Sequence, residues 1–283
     1  MSTQISAAPV PRSRTADTTV EVLQAPSLSA IGWLVHGFST RTGGQSTVYA
    51  KRPAGELNLG FTASDDPANV VANRRLFLQA VTGDPQSSMV TLRQIHSSFV
   101  EPIDAPRTAS DPGFAEADGM VTAQAGILLA IQTADCIPVL VADRRQRAVA
   151  AFHAGWRGTL KRIVEHGIGR MRLEFKSNPE DLVAAVGPGI GACCYMVGEE
   201  VRSSFEAQFP YGADLFRKVG TPSALHLDLV EANRRQLLDA GLKAECISVV
   251  NECTSCLTDR YFSYRAEHGF TGRMFSVIGI RAG

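Results

Sequence analysis

The 283-residue chain has no apolar run close to the roughly 20 residues that cross a bilayer. It has no net charge either, with 28 Lys and Arg against 28 Asp and Glu. That balance argues against the basic footprint of a nucleic-acid binder and against attraction to an anionic membrane surface, so neither is expected as a partner. The first residues, MSTQISAAPVPRSRTADTT, lack the apolar segment of a secretory leader. Residues 1–28 read as a disordered tail, residues 29–283 as one domain, and the compartment as cytoplasmic. Inside that domain there is no internal repeat and no Pro/Gly/Ser linker. Histidine is scarce, at six residues with no H-x-H pair. A centre of several metal ions held mainly by imidazoles is beyond such a chain.

Cysteine is also sparse, at positions 136, 193, 194, 246, 253 and 256. Without an export signal these read as thiols rather than as a disulfide framework. A bond between the neighbours Cys193 and Cys194 would be strained, and Cys253-x-x-Cys256 is a lone pair with weak zinc or redox meaning. What the chain does have is apolar residues, 45% of the total, enough for one large core or two modest ones. IGWLVHGFST, MVTL, FVEPI, DGMVTAQ, ILLAIQTA, IPVLVAD, AVAAFHA and DLVAAV read as short strands. DDPANVVANRRLFLQAV opens with an Asp cap and a first-turn Pro and reads as a helix. TLKRIVEHGIGRMRLEF puts Leu160, Ile163, Val164, Ile168 and Met171 on one helical face. GEEVRSSFEAQF and DLVEANRRQLLDAGL read as two more helices, the last stopping at Gly241. Strands and helices mix without strict βαβ alternation, which predicts an α+β fold with a mixed sheet layered by helices.

Polar residues at strand ends carry the chemistry. His96, Cys136 and His153 each flank a predicted strand, and imidazole, imidazole and thiolate make a catalytic zinc set with an open fourth position. Each residue alone has a plain packing or hydrogen-bonding explanation. Around them, HAGWRG places Arg157 before a helix start suited to an anion. Asp135, next to Cys136, is a candidate proton carrier, with a turn cap as its plain reading. Arg41 on the Gly-rich STRTGGQS turn and Asn58 in ELNLG are weaker candidates for binding substrate.

From about Trp33 onward the chain resembles the laccase-domain proteins, also called the multicopper polyphenol oxidase or YfiH-like family. The matching stretches are HGFSTRTGG, LNLGFTASDDPANVVANRR, RQIHSSFV, ADGMVT, TADCIPVLVAD, AFHAGWRGT, GPGIGACCYMVGEEV and ECTSC with YFSYR and TGR. The resemblance implies metal ligands at His96, Cys136 and His153. It also implies a single α+β domain of the YfiH-like type, a group compared with cytotoxic necrotising factor toxins. Family members often read C-Y-E-V where this chain has Cys194, Tyr195, Met196 and Val197, so any role of that acidic side chain is in doubt here.

The implied activity is purine nucleoside chemistry with Zn2+, or alternatively copper. It comprises phosphorolysis of adenosine, inosine, guanosine or methylthioadenosine, together with adenosine deamination. Arg41 and Arg157 are then the expected phosphate clamps, Asn58 a contact to base or ribose, and Asp135 the proton shuttle. Nucleoside and phosphate are the expected partners of a monomer or weak homodimer. Three alternatives stand beside this reading. One is a Cys136–His153 hydrolase, such as an amidase that edits peptidoglycan precursors. The others are a copper-dependent polyphenol oxidase and a non-catalytic metal-binding or scaffold protein.

Overall fold

The computed structural model describes residues 19–49, 55–106, 115–220 and 224–282. The first part of the chain forms β1 (Val22–Leu23), α1 (Pro26–Ser29), β2 (Leu34–Ser39), β3 (Thr42–Ser46), α2 (Pro67–Thr82), β4 (Ser88–Val90) and β5 (Val100–Pro102). The middle supplies β6 (Gly119–Thr122), β7 (Ile127–Thr133), β8 (Ile137–Asp143), β9 (Ala148–Ala154), α3 (Trp156–Leu160), α4 (Ile163–Phe175) and β10 (Leu182–Val186). The last part adds β11 (Met196–Val197), α5 (Glu199–Gln208), β12 (Phe216–Lys218), β13 (Leu225–Leu227), α6 (Leu229–Asp239), β14 (Ile247–Val249) and β15 (Met274–Ile280).

Two large sheets result, ordered β1-β2-β15-β7-β4 and β14-β10-β8-β9-β6-β5, with β11-β13-β12 as a small third. The two-residue period of a strand explains how they layer. In β9, Ala148, Ala150, Phe152 and Ala154 face one core together with Ile163 and Ile168 of α4. Val149 and Ala151 face the other way, onto Leu129 and Ile131 of β7 and Ile278 of β15. Both faces of β9 are apolar because both are covered. On the outer face of the first sheet, Phe77 of α2 packs on Ala130, Phe275 and Val277. The layers therefore run helix, sheet, sheet, helices, in the α+β class expected. Burying each large side chain at these interfaces contributes roughly 1.5–3 kcal/mol.

The helix opening at Asp66 forms as the sequence implies: its carboxylate accepts from the Ala68 amide at 2.8 Å, and Pro67 occupies the first turn. Three expectations need correction. The tail assigned to residues 1–28 is too long, because Val22 and Leu23 pair with Ser39 and Phe38, and Leu28 is fully buried. Those apolar residues find partners far along the chain that local composition cannot reveal; residues 1–18 lie outside the described residues. The helix expected over TLKRIVEHGIGRMRLEF is two helices, separated where Arg162 takes a left-handed φ of 61°. Finally, the strand at Met274–Ile280 went unread, although it lies at the centre of its sheet.

Candidate active site

The β8–β9 hairpin sets the first two side chains. Its register pairs Ile137 with Ala154 and Pro138 with His153, so Cys136, one residue before β8, arrives beside His153. His96 comes from the loop after β4 and is fixed by Asp118, just before β6. One Asp118 oxygen accepts from the His96 amide at 3.0 Å and bonds His153 Nδ1 at 2.8 Å. The other accepts from the Ile95 amide at 3.2 Å, and from the Ser97 amide and hydroxyl at 2.6 and 2.7 Å. One carboxylate thus orients the His153 imidazole and pins the backbone that carries His96.

With Nδ1 of His153 committed, its Nε2 faces Cys136. Cys136 Sγ lies 4.0 Å from His96 Nε2, and one donor atom from each of the three residues falls within 4.8 Å of the others. A Cβ on Gly155 would come within 2.9 Å of Cys136 Sγ and 3.0 Å of the His96 ring, so only glycine lets the chain pass behind the cluster.

Electrostatics prepares these donors. Burial pushes the Cys136 thiol up, but His153 and His96 outweigh it and bring it down to about 6. Burial likewise lowers His153, while Cys136 and Asp118 raise it further, to about 9. Burial would raise Asp118, yet the bonds from His153 and Ser97 hold it at about 2. A thiolate, two imidazoles and a carboxylate behind one of them suit a metal ion with an outer partner already in place. Among the described residues, this is the sole potential metal-ligand group that contains histidine.

The three donors open into a cleft of about 870 Å³ at the ends of β7 and β9, where loops from both large sheets converge. Arg74, Arg157, Arg265 and Arg273 line it, and among the described residues none of the four forms an ion pair with a carboxylate. Burial lowers the Arg74 guanidinium to about 10, so an anion in the cleft would relieve a real cost. Phe61 and Tyr264, both more than half exposed, add aromatic faces at the rim.

Of the residues singled out from sequence, His96, Cys136, His153, Asp135 and Arg157 meet in this cleft. Arg157 stacks on Trp156, 4.4 Å from the ring centre. Asp135 lines the cleft with both of its oxygens already hydrogen-bonded. Its oxygens accept from the Thr254 hydroxyl at 2.6 Å and the Arg265 amide at 2.7 Å, and its backbone holds a φ of 89°. It is a brace that shapes the turn into Cys136, held in a conformation that costs about 1–3 kcal/mol.

Arg41 and Asn58 do not line the cleft. Arg41 is 2% exposed and gives its donors to Glu56, Glu267 and the carbonyls of Tyr49, Thr258 and Tyr261. Nothing is left for phosphate. Asn58 is fully buried, donates to Asp65 and accepts from the Gly60 and Arg273 amides. Asp118, Arg74, Arg265 and Arg273 were missed; Asp118 stands in the ADGMVT motif, where an acid before a strand was a usable signal. Met196, in place of the family's acid, is 54% exposed.

Comparison with known proteins follows the same lines. The model of the family described as "Multi-copper polyphenol oxidoreductase laccase" matches residues 35–281. The purine nucleoside phosphorylase YlmD of Geobacillus stearothermophilus is 37% identical, over 89% of this chain and 96% of its own length. A purine nucleoside phosphorylase of Deinococcus radiodurans is 40% identical over 92% of each chain. The crystal structure of the Geobacillus YlmD superposes with a TM-score of 0.81 at 36% identity, covering 91% of this chain and 94% of that one. That of Bacillus licheniformis YfiH gives 0.77 at 32% identity, covering 88% and 93%.

Proposed function

Because the chain belongs to the multi-copper polyphenol oxidoreductase laccase family, and its cleft joins a His–His–Cys donor set to unpaired arginines, we propose that it cleaves purine nucleosides by phosphorolysis. The observation that carries this is the set of arginines without carboxylate partners around a thiolate-bearing cleft. Relatives named purine nucleoside phosphorylase support it. In the reaction a phosphate oxygen bonds to ribose C1′ as the C1′–N9 bond breaks. The electron pair leaves with the purine, which takes up a proton. Arg157 and Arg265 clamp the phosphate, and Phe61 and Tyr264 offer ring faces to the base. His96, Cys136 and His153 would hold zinc, which would supply Lewis-acid chemistry at that point of the cleft. Asp118 keeps the His153 imidazole aimed and holds the His96 backbone, and Asp135 fixes the turn that presents Cys136. Adenosine deamination, in which water displaces the C6 amine as ammonia, is assigned to the same cleft and needs no phosphate.

A second reading rests on one observation: Cys136, His153 and Asp118 stand in the order thiol, imidazole, carboxylate, the order of a cysteine hydrolase. A nucleoside panel with and without phosphate, on native and chelator-treated protein, separates the two. We expect phosphate-dependent release of base that stops on chelation and returns with zinc. Undiminished turnover by metal-free protein rejects the zinc reading in favour of the hydrolase.

A further inference from the structure

The C-x-x-C at Cys253 and Cys256 is not alone in three dimensions. The loop after β10 brings Cys193 and Cys194 against it, so that all four sulfurs lie within 4.8 Å of one another. Cys256 Sγ is 3.4 Å from Cys193 Sγ and 3.3 Å from Cys194 Sγ. A tetrahedron with metal–sulfur bonds of about 2.3 Å has sulfur–sulfur edges of about 3.8 Å, within the span these side chains already occupy.

The backbone is shaped for thiolates as well. The Gly191 amide donates to Cys253 Sγ at 3.2 Å, and the Cys256 amide donates to the same sulfur. Such amide-to-sulfur bonds stabilise a charged sulfur and orient it. A Cβ on Gly191 would stand 3.2 Å from both Cys193 Sγ and Cys253 Cβ, so a glycine lets the two loops close around the group.

We propose that Cys193, Cys194, Cys253 and Cys256 form a second metal site, a four-thiolate structural site for zinc. Soft sulfur donors in a closed tetrahedron select zinc and leave no position for water or substrate. Its place in the fold defines its work. Ile190 and Tyr195, on the same loop as Cys193 and Cys194, line the catalytic cleft. Thr254, between Cys253 and Cys256, donates to Asp135, and the Ile190 amide donates to the Asp135 carbonyl. The site therefore staples together the two loops that brace the turn into Cys136.

Metal analysis of the full chain, purified reduced and without chelator, tests this independently of the nucleoside reading. We expect two zinc ions per wild-type chain and one in Cys136→Ser, which leaves the four-sulfur group untouched. Loading Cys136→Ser with cobalt should give the intense sulfur-to-metal absorption of a four-thiolate site. Cys256→Ser should lose that absorption while keeping the ion at the other centre. Should Cys256→Ser fail to fold, the cobalt spectrum of Cys136→Ser still decides. A metal-free Cys136→Ser whose remaining thiols all react with an alkylating agent in the folded state overturns the proposal. So does a disulfide among the four cysteines in the reduced, zinc-supplemented protein.

Discussion

Two polar clusters in this protein look alike in sequence and behave oppositely in the fold. Around Arg41, a guanidinium meets Glu56 at 2.7 Å and Glu267 at 2.9 Å, with backbone carbonyls taking its remaining donors. Around Cys136, four arginines line a cleft and, among the described residues, none of them forms an ion pair with a carboxylate. The first cluster is complete and holds β3 and the loop before β15 together. The second is incomplete and has capacity for a ligand. Residue type is the same in both; what separates structure from function is whether the hydrogen-bonding capacity is already used.

Replacing Arg41 breaks the comparison most severely. Arg41→Met removes the positive charge that neutralises Glu56 and Glu267, and should cost about 3–5 kcal/mol of stability. The fraction that remains folded should turn over nucleoside within about tenfold of wild type, because Arg41 does not line the cleft and reaches Tyr264 and Arg265 only through its partners Tyr261 and Glu267. Denaturant titration paired with activity per folded molecule checks this. A fully folded but inactive Arg41→Met would move Arg41 into the catalytic machinery.

At the cleft the expectation reverses. His96→Ala should cost little stability, since His96 is exposed. Activity should fall by more than the roughly 100-fold upper range seen for losing an outer partner of a ligand. Metal content should fall with it. Substantial turnover in that variant would favour the Cys136–His153 pair acting without metal.

His36 sharpens the contrast through pH. It is 3% exposed, and its Nε2 accepts from the Ala25 amide at 2.9 Å. Burial, partly offset by that bond, lowers its pKa from 6.5 to about 4. Above pH 6.5 both folded and unfolded forms are neutral and nothing is lost. As pH falls from 6.5 towards 4 the unfolded chain takes the proton first, so stability drops, by about 2 kcal/mol at pH 5. His36→Gln keeps an acceptor for Ala25 and should remove that part of the pH dependence. Equal slopes of unfolding free energy against pH in the two proteins would contradict it.

The smallest effect concerns a single clamp. Arg157→Ala should raise the phosphate KM of phosphorolysis by about tenfold, near 1.4 kcal/mol. Deamination, which uses no phosphate, should change less. Parallel loss of both activities would make Arg157 a structural support of Trp156.

The sequence disclosed His96, Cys136 and His153 because their donor chemistry is rare and each stands at the end of an apolar run. It misled at Arg41 and Asn58, which lie in equally conspicuous Gly-rich or apolar surroundings. Only the partners distinguish them, and Glu267 is far from Arg41 in the chain. Arg74, Arg265 and Arg273 escaped notice for the same reason: α2, a late loop and the residue before β15 converge only after both sheets form. The two cysteine pairs were each visible, yet nothing local announces that they meet. The apolar pattern over β6 to β10 was legible because those strands are buried on both faces. Helix α3 was not, since the break at Arg162 depends on a backbone conformation that apolar spacing cannot encode.

The position of β15 has a consequence for how the molecule is made. Its residues emerge last among the described elements, yet they sit between β2 and β7, pairing Ser276 with both Phe38 and Ile131. On the ribosome, the sheet carrying Cys136 and His153 can be assembled from residues already synthesised. The other sheet must wait with its central slot open. Two early strands, apolar on their inner faces, stay unjoined until β15 has been made, while unpaired edges are most prone to the wrong partner. Strand ends and loops from both sheets line the cleft, so the ligand hairpin exists before Arg273, which leads into β15, completes that lining. The pocket is finished only when β15 closes its sheet.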